Sequence, residues 1–169
     1  IDAAGVIETK TAPGWTLFNA ITSSNLMSRL RSDYTFNMTF FSEVPSVSSG
    51  GLIVIDLPLE FESVDQTLRC STPNATFGTP DCQLISSRIY VKGNPSPFRG
   101  NLILQISGLR NPLTEVTTDY FYVKTYDGFR KDIIERSFYN PDPFFQTYKY
   151  PGPLITIAGD TPVTIEAGT

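Results

Sequence analysis

The sequence predicts an all-β protein, a two-sheet antiparallel sandwich of about ten short strands with almost no helix. Three observations support this prediction. Proline (13) and glycine (12) recur as turn residues along the 169-residue chain. Phenylalanine (12) and tyrosine (8) far outnumber methionine (2), and aromatic and β-branched residues favour strands. Several segments alternate between two faces, which is the period of a strand with one buried face: Tyr34, Phe36, Met38 and Phe40 form an aromatic-rich stripe, and Phe121 and Val123 lie opposite Tyr120, Tyr122 and Lys124.

The predicted strands are separated by turn segments that contain glycine or proline. In chain order they cover residues 5–9, 15–22, 34–41, 52–57, 67–70, 84–92, 102–107, 120–126, 154–157 and 163–167. Residues 51–57 are apolar on both faces, which predicts a central strand. The sequence predicts helix, a turn or two, only at residues 131–137. We expect residues 1–169 to form a single domain, immunoglobulin-like or jelly-roll, whose terminal segments 1–14 and 151–169 could engage neighbouring subunits.

Composition argues against several classes of function. Histidine is absent, which removes Ser-His and Cys-His catalysis and most zinc sites. The 17 acidic residues show no spacing that distinguishes a glycosidase pair, so we predict no catalytic residues, metal or cofactor, and no enzyme. The net charge of −4 without a basic block argues against nucleic acid. No apolar run approaches the roughly 18 residues of a membrane helix, so we predict no membrane insertion.

The cysteines and two sequons point to a secretory route. Cys70 and Cys82 flank a turn-rich loop, which makes a disulfide plausible; the alternative is two buried free thiols. Asn37 and Asn74 each begin an Asn-X-Thr signal for N-glycosylation. Strand alternation predicts that Asn37 lies opposite the aromatic stripe, and Asn74 is expected in an exposed loop. We therefore expect an extracellular protein, secreted or on the cell surface, that carries N-linked glycans.

Two further regions are candidates for intermolecular contacts. Residues 139–153 combine prolines with five aromatic side chains, and these either fill the core or form an exposed surface for a neighbour or a sugar. The five are Tyr139, Phe144, Phe145, Tyr148 and Tyr150. The terminal segments could supply an exchanged strand that completes a neighbour's sheet. Its candidate residues are Val163, Ile165 and Ala167 at the C-terminal end, which we favour, and Val6 and Ile7 at the N-terminal end.

The order of the turn and strand motifs resembles modules of large extracellular surface-coat and filament proteins of ciliates and other protists. The resemblance covers roughly residues 15–130. The motifs are Tyr34-Thr-Phe36, Gly50-Gly-Leu-Ile-Val-Ile-Asp-Leu-Pro58, Cys70 with Cys82, Gly108-Leu-Arg-Asn-Pro112 and Phe121-Tyr-Val-Lys-Thr-Tyr-Asp127. The resemblance implies an immunoglobulin-like sandwich, a disulfide between the two cysteines and a scaffolding role. It implies no catalytic residues.

These observations together predict a structural subunit of an extracellular glycosylated filament or surface coat. Its partners would be copies of itself, assembled through strand exchange or edge contacts. The alternative is an extracellular adhesion or carbohydrate-binding domain, based on the aromatic residues of segment 139–150.

Overall fold

The computed structural model describes residues 14–61, 67–113, 118–128, 133–137, 154–155 and 163–164. Apart from two single 3₁₀ turns, at Val47–Ser49 and Ala75–Phe77, the regular elements in these ranges are strands. The strands are β1 (Gly14–Ser23), β2 (Arg31–Val44), β3 (Leu52–Asp56), β4 (Arg69–Ser71), β5 (Asp81–Ile85), β6 (Arg88–Lys92), β7 (Phe98–Arg110), β8 (Tyr122–Tyr126), β9 (Ile133–Ser137), β10 (Leu154–Ile155) and β11 (Val163–Thr164). The prediction of an all-β fold is confirmed.

Nine of these strands form two antiparallel sheets that pack face to face. The four-stranded sheet has the order β4-β7-β2-β1, and the five-stranded sheet has the order β9-β8-β3-β6-β5. Strand β1 joins the two sheets along one side: residues 17–23 pair antiparallel with β2, and residues 14–16 pair parallel with β9. Strands β10 and β11 form a separate two-stranded ladder. The predicted two-sheet sandwich is therefore present.

The strand order distinguishes the two predicted types of sandwich. A constant-type immunoglobulin domain has strands A, B, E and D in one sheet and C, F and G in the other. Here β1, β2, β7 and β4 correspond to strands A, B, E and D of the first sheet. Strands β3, β8 and β9 correspond to C, F and G of the second sheet. The hairpin β5–β6 is inserted between the D and E strands and extends the second sheet beyond β3. The arrangement is immunoglobulin-like with one added hairpin.

The core lies between the sheets and is built from alternate residues of the central strands. Four side chains of β2 are at most 1% exposed: Tyr34, Phe36, Met38 and Phe40. The ring of Phe36 contacts that of Phe121 edge-on across the sandwich, with 5.7 Å between centroids. Burying each such side chain stabilises the fold by about 1.5–3 kcal/mol. The predicted alternation on β2, and that around Phe121 and Val123, is confirmed.

Residues 84–92, predicted as a single strand, form the hairpin of β5 and β6 instead. The turn lies at Ser86 and Ser87, and Ser86 adopts a φ of 56°. Because the turn reverses the chain, Ile85 does not share the buried face of Ile89, and its side chain is 54% exposed. The prediction missed this turn because it contains none of the glycine or asparagine residues that usually mark a two-residue hairpin turn.

The helical turn predicted at residues 131–137 is also wrong where the structure describes it, because residues 133–137 form β9. This strand pairs with β8 on one side and with the start of β1 on the other. Pairing with β8 and with the distant start of β1 therefore outweighs the weak local preference for helix. The strand predicted at residues 5–9 lies outside the described residues, and those at 154–157 and 163–167 are described only at β10 and β11.

Candidate functional site

The disulfide joins two edge strands that belong to different sheets. Cys70 lies in β4 and Cys82 in β5, with their Cα atoms 5.9 Å apart. The predicted disulfide is confirmed, and the alternative of free thiols is wrong. The enclosed loop is anchored by Phe77, whose ring is fully buried. This ring packs edge-on against that of Phe98, with 5.2 Å between the ring centroids. The sandwich is thus closed on one side by β1 and on the other by a covalent bond, and such a bond is typical of an oxidising compartment.

The first sequon asparagine lies on the outer face of the four-stranded sheet. Asn37 is half-buried in β2, between the fully buried Phe36 and Met38 that point into the core. Its partner across the ladder is Ile103 of β7. Asn37 therefore lies on the face opposite the aromatic stripe, as its alternation predicts.

The second sequon asparagine has a structural task that the sequence did not reveal. The Oδ1 atom of Asn74 accepts a hydrogen bond from the backbone N–H of Ile103 at 3.1 Å, and its Nδ2 donates to the carbonyl of Asn101 at 3.1 Å. Strand β4 ends its own pairing with β7 at Ser71, opposite Gln105. The amide of Asn74 thus continues the ladder with side-chain atoms, and the residue is half-buried rather than fully exposed.

Both sequons are on the same sheet. On one side of β7, Asn37 of β2 pairs with Ile103. On the other side, the side chain of Asn74 accepts a hydrogen bond from the backbone N–H of Ile103. Neighbouring strands are about 4.8 Å apart, so the two backbones are separated by about 10 Å. A glycan at Asn37 would lie on the outer face of the four-stranded sheet and one at Asn74 at its edge, and neither position is on the outer face of the five-stranded sheet.

We expect both asparagines to carry N-linked glycans. Glycosylation replaces one of the two Nδ2 hydrogens, so the modified Asn74 keeps one hydrogen that can still donate to Asn101. Peptide mapping after enzymatic deglycosylation should show conversion of asparagine to aspartate at both sites. Unmodified asparagine at either position would refute that site.

A concave site on the described surface lies on the other sheet and is called the outer groove here. It has a volume of about 490 Å³. Its floor is formed by Leu52 and Val54 of β3, and Val54 is only 3% exposed although it points away from the core. Tyr90 of β6 lies directly opposite Val54, and Tyr126 of β8 lies opposite Leu52. The groove therefore has an aliphatic floor between two tyrosine walls.

Charged side chains line the same face. Asp56 of β3 accepts from Nε of Arg88 at 2.9 Å and also pairs with Nζ of Lys124. A hydrogen bond with Tyr90, followed by the carboxylate of Asp56, raises the pKa of Arg88. Lys92 also lines the groove. Its partner across the ladder is Asp81, but no carboxylate of a described residue lies within 4 Å of its ammonium group.

Glycine backbones close one end of the outer groove. Gly128 packs so tightly on the loop before β3 that an added Cβ would lie 1.8 Å from the carbonyl oxygen of Ser49. Gly50, with a φ of 82°, packs against Gly128 at the same end. Since any side chain at Gly128 would collide with backbone atoms, the shape of this end wall depends on glycine.

A buried amide at the end of the sandwich was missed by sequence reasoning. Asn111 is 1% exposed and accepts a hydrogen bond from the hydroxyl of Tyr34. Its Nδ2 donates to the carbonyls of Asn25 at 2.8 Å and Met27 at 2.7 Å. Burial raises the pKa of the Tyr34 hydroxyl. In the sequence, Asn111-Pro112 is typical of an ordinary turn between strands, and nothing local indicates a buried amide.

A buried carboxylate ties the two sheets together near β1. Glu135 of β9 is 1% exposed and accepts hydrogen bonds from the backbone N–H groups of Phe41, at 3.2 Å, and Ser42. These two residues lie where the register of β2 shifts between Phe40 and Val44. The carboxylate therefore bonds to N–H groups at an irregularity of β2, which is a structural role.

Several predicted site residues cannot be placed beside these features. The predicted aromatic contact residues, Tyr139, Phe144, Phe145, Tyr148 and Tyr150, lie outside the described residues. So do Val6, Ile7, Ile165 and Ala167. Val163 is described through its backbone, which pairs with Ile155 of the same chain.

The described residues show no group suited to metal chemistry. Within them, no three His, Cys, Asp or Glu side chains are placed to hold a metal ion. No helix in this part of the chain is long and apolar enough to cross a membrane. The molecule is thus defined by its immunoglobulin-like sandwich, its inter-sheet disulfide and its outer groove.

No known protein family matches this chain, and no curated protein matches it. The resemblance to surface-coat and filament modules therefore stays a prediction.

Proposed function

We propose that the chain is an extracellular structural module, one subunit of a glycosylated filament or surface coat that assembles through its sheet edges. The inter-sheet disulfide supports an oxidising compartment. The position of both sequons on the four-stranded sheet supports a glycan-covered face that is kept away from neighbours. Assembly contacts are then left to the sheet edges and the five-stranded sheet.

The observation that carries this proposal is the free edge of β5. This strand is the last in the five-stranded sheet and pairs with β6 on one side only. Its five residues offer an edge about 17 Å long to which no other described strand is hydrogen-bonded, although β4 lies beside β5 at the disulfide. The disulfide at Cys82 holds the strand in position, so its unpaired backbone groups form a fixed template for an incoming strand.

The strand proposed to fill this edge is the C-terminal segment around Val163 of a neighbouring subunit. Val163, Ile165 and Ala167 alternate with Thr164 and Glu166, so a paired strand would have one apolar and one polar face. The competing arrangement keeps Val163 and Thr164 paired only with β10 of their own chain. The two arrangements differ in whether this segment is needed for assembly.

Removing residues 160–169 is expected to give a folded protein that no longer polymerises, because the sandwich keeps its core while the exchanged strand is lost. Electron microscopy and sedimentation velocity measure the assembly, and circular dichroism measures the fold. The double variant Val163→Thr/Ile165→Thr tests the apolar face within a full-length chain. Its matched control, Thr164→Ser/Glu166→Gln, changes only the polar face and should assemble normally. Fibres of normal length from the truncated protein would rule out C-terminal exchange.

A further inference from the structure

We infer that the outer groove is a binding site for an acidic oligosaccharide, a short chain of sugars that carry carboxylate groups. This inference goes beyond the assembly role and does not depend on it. The groove is on the sheet face without sequons, so glycans of the chain itself would not occupy it. Its volume of about 490 Å³ is within the range of about 300–1,000 Å³ that is usual for small-ligand sites.

The tyrosine walls fit the faces of sugar rings. Tyr90 and Tyr126 belong to β6 and β8, which flank β3, so their backbones are about 10 Å apart across the floor. A tyrosine offers an apolar ring face for the C–H groups of a sugar and a hydroxyl for its O–H groups. The aliphatic floor at Leu52 and Val54 completes an apolar base beneath the ring.

One cation of this face lacks an ion-pair partner among the described residues. Three cations, Arg88, Lys92 and Lys124, share the face with Asp56 and with Asp81, the cross-strand neighbour of Lys92, and Asp127 lies at one end of the groove. Asp56 is already paired with Arg88 and Lys124. The ammonium group of Lys92 has no such partner among the described residues, in a chain whose net charge is −4. A ligand carboxylate at Lys92 would form a charge-assisted hydrogen bond that the protein itself does not supply.

The backbone around the groove argues against an extended peptide as the occupant. Strand β3 beneath the groove is paired on both sides, with β6 and with β8. A peptide on this face would therefore find no main-chain donors or acceptors, which are the usual source of affinity for an added strand. Recognition by side chains alone suits a ligand rich in hydroxyl groups. A nucleic acid would require many more phosphate-neutralising cations than this face offers.

The test uses the purified full-length protein and tetragalacturonic acid, with its neutral methyl ester as the matched probe. Isothermal titration calorimetry should show that the acid binds at least about tenfold more tightly than the ester, since the ester cannot accept a charge-assisted hydrogen bond from Lys92. Lys92→Gln should remove this preference, and Tyr90→Ala should weaken binding of both probes. Added salt should weaken binding of the acid more than that of the ester.

The control variant is Arg69→Gln, which makes the same charge change at an exposed position of the four-stranded sheet and should bind like the wild type. Lys92 is an exposed side chain, so Lys92→Gln keeps the test valid even if Tyr90→Ala does not fold. Equal affinity for acid and ester, an unaffected Lys92→Gln variant, or no binding of the acid at millimolar concentration would overturn the inference. So would equally tight binding of a tetraglutamate peptide, since that would show attraction to charge alone.

Discussion

Replacing Asn111 by leucine is expected to lower the free energy of unfolding by about 3–5 kcal/mol, the largest effect of any substitution proposed for this protein. Leucine has nearly the same shape as asparagine but makes no hydrogen bonds. It would remove one hydrogen bond from each of three groups, the Tyr34 hydroxyl and the carbonyls of Asn25 and Met27, although Ser23 still donates to the Asn25 carbonyl. Each buried hydrogen bond lost without a substitute costs about 1–1.5 kcal/mol. Denaturation by urea, followed by circular dichroism, measures the change.

Two further variants separate the hydrogen bonds from the general effect of the substitution. Tyr34→Phe removes only one of the three bonds and should cost about 1–1.5 kcal/mol. Asn101→Leu makes the same change as Asn111→Leu at an exposed position and should stay within about 0.5 kcal/mol of the wild type. If Asn111→Leu is no less stable than Asn101→Leu, the proposed role of the buried amide is wrong.

The double variant Cys70→Ser/Cys82→Ser is expected to lose about 3 kcal/mol of stability, as the loss of a short-loop disulfide predicts. The bond spans a sequence separation of 12 residues and is the covalent link between the edges of the two sheets. Without it, β4 and β5 keep their hydrogen bonds to β7 and β6 but lose their mutual tether. Urea denaturation of the variant measures the effect.

Reduction of the wild-type protein provides the control for the disulfide prediction. Wild type in a reducing agent and the double variant without one should show the same midpoint of unfolding, and the reducing agent should not change the double variant. Intact mass after alkylation checks the starting material. Two alkylated thiols without prior reduction, or a double variant as stable as the oxidised wild type, would contradict the prediction.

The sequence predicted the fold class because the strongest signals of a sandwich are local. The alternation of Tyr34, Phe36 and Met38 with polar residues already determines which face of β2 is buried. The apolar segment at residues 52–55 likewise indicated a strand in the middle of a sheet, and β3 is paired on both sides. The loop between Cys70 and Cys82 was short enough to make the disulfide plausible without any knowledge of the sheets.

The errors and omissions arose where a turn without glycine or the pairing between strands decides the structure. The serine turn between β5 and β6 gave no glycine signal, so the hairpin and the exposure of Ile85 were missed. Residues 133–137 become a strand because β8 and β1 are available beside them. The sequence did not distinguish Glu135 among the 17 acidic residues, since its partners Phe41 and Ser42 are about 90 positions away in the chain.

The sequence by itself determined that the chain folds into an antiparallel sandwich, which side chains of β2 enter the core, and that the two cysteines could join. Only the tertiary structure decided that the disulfide closes the edges of two sheets, that Asn74 continues a ladder, and that Leu52, Tyr90 and Tyr126 surround one groove. The physical reason is the range of the interactions. Side-chain alternation depends only on neighbouring residues, whereas strand order brings together residues far apart in the chain.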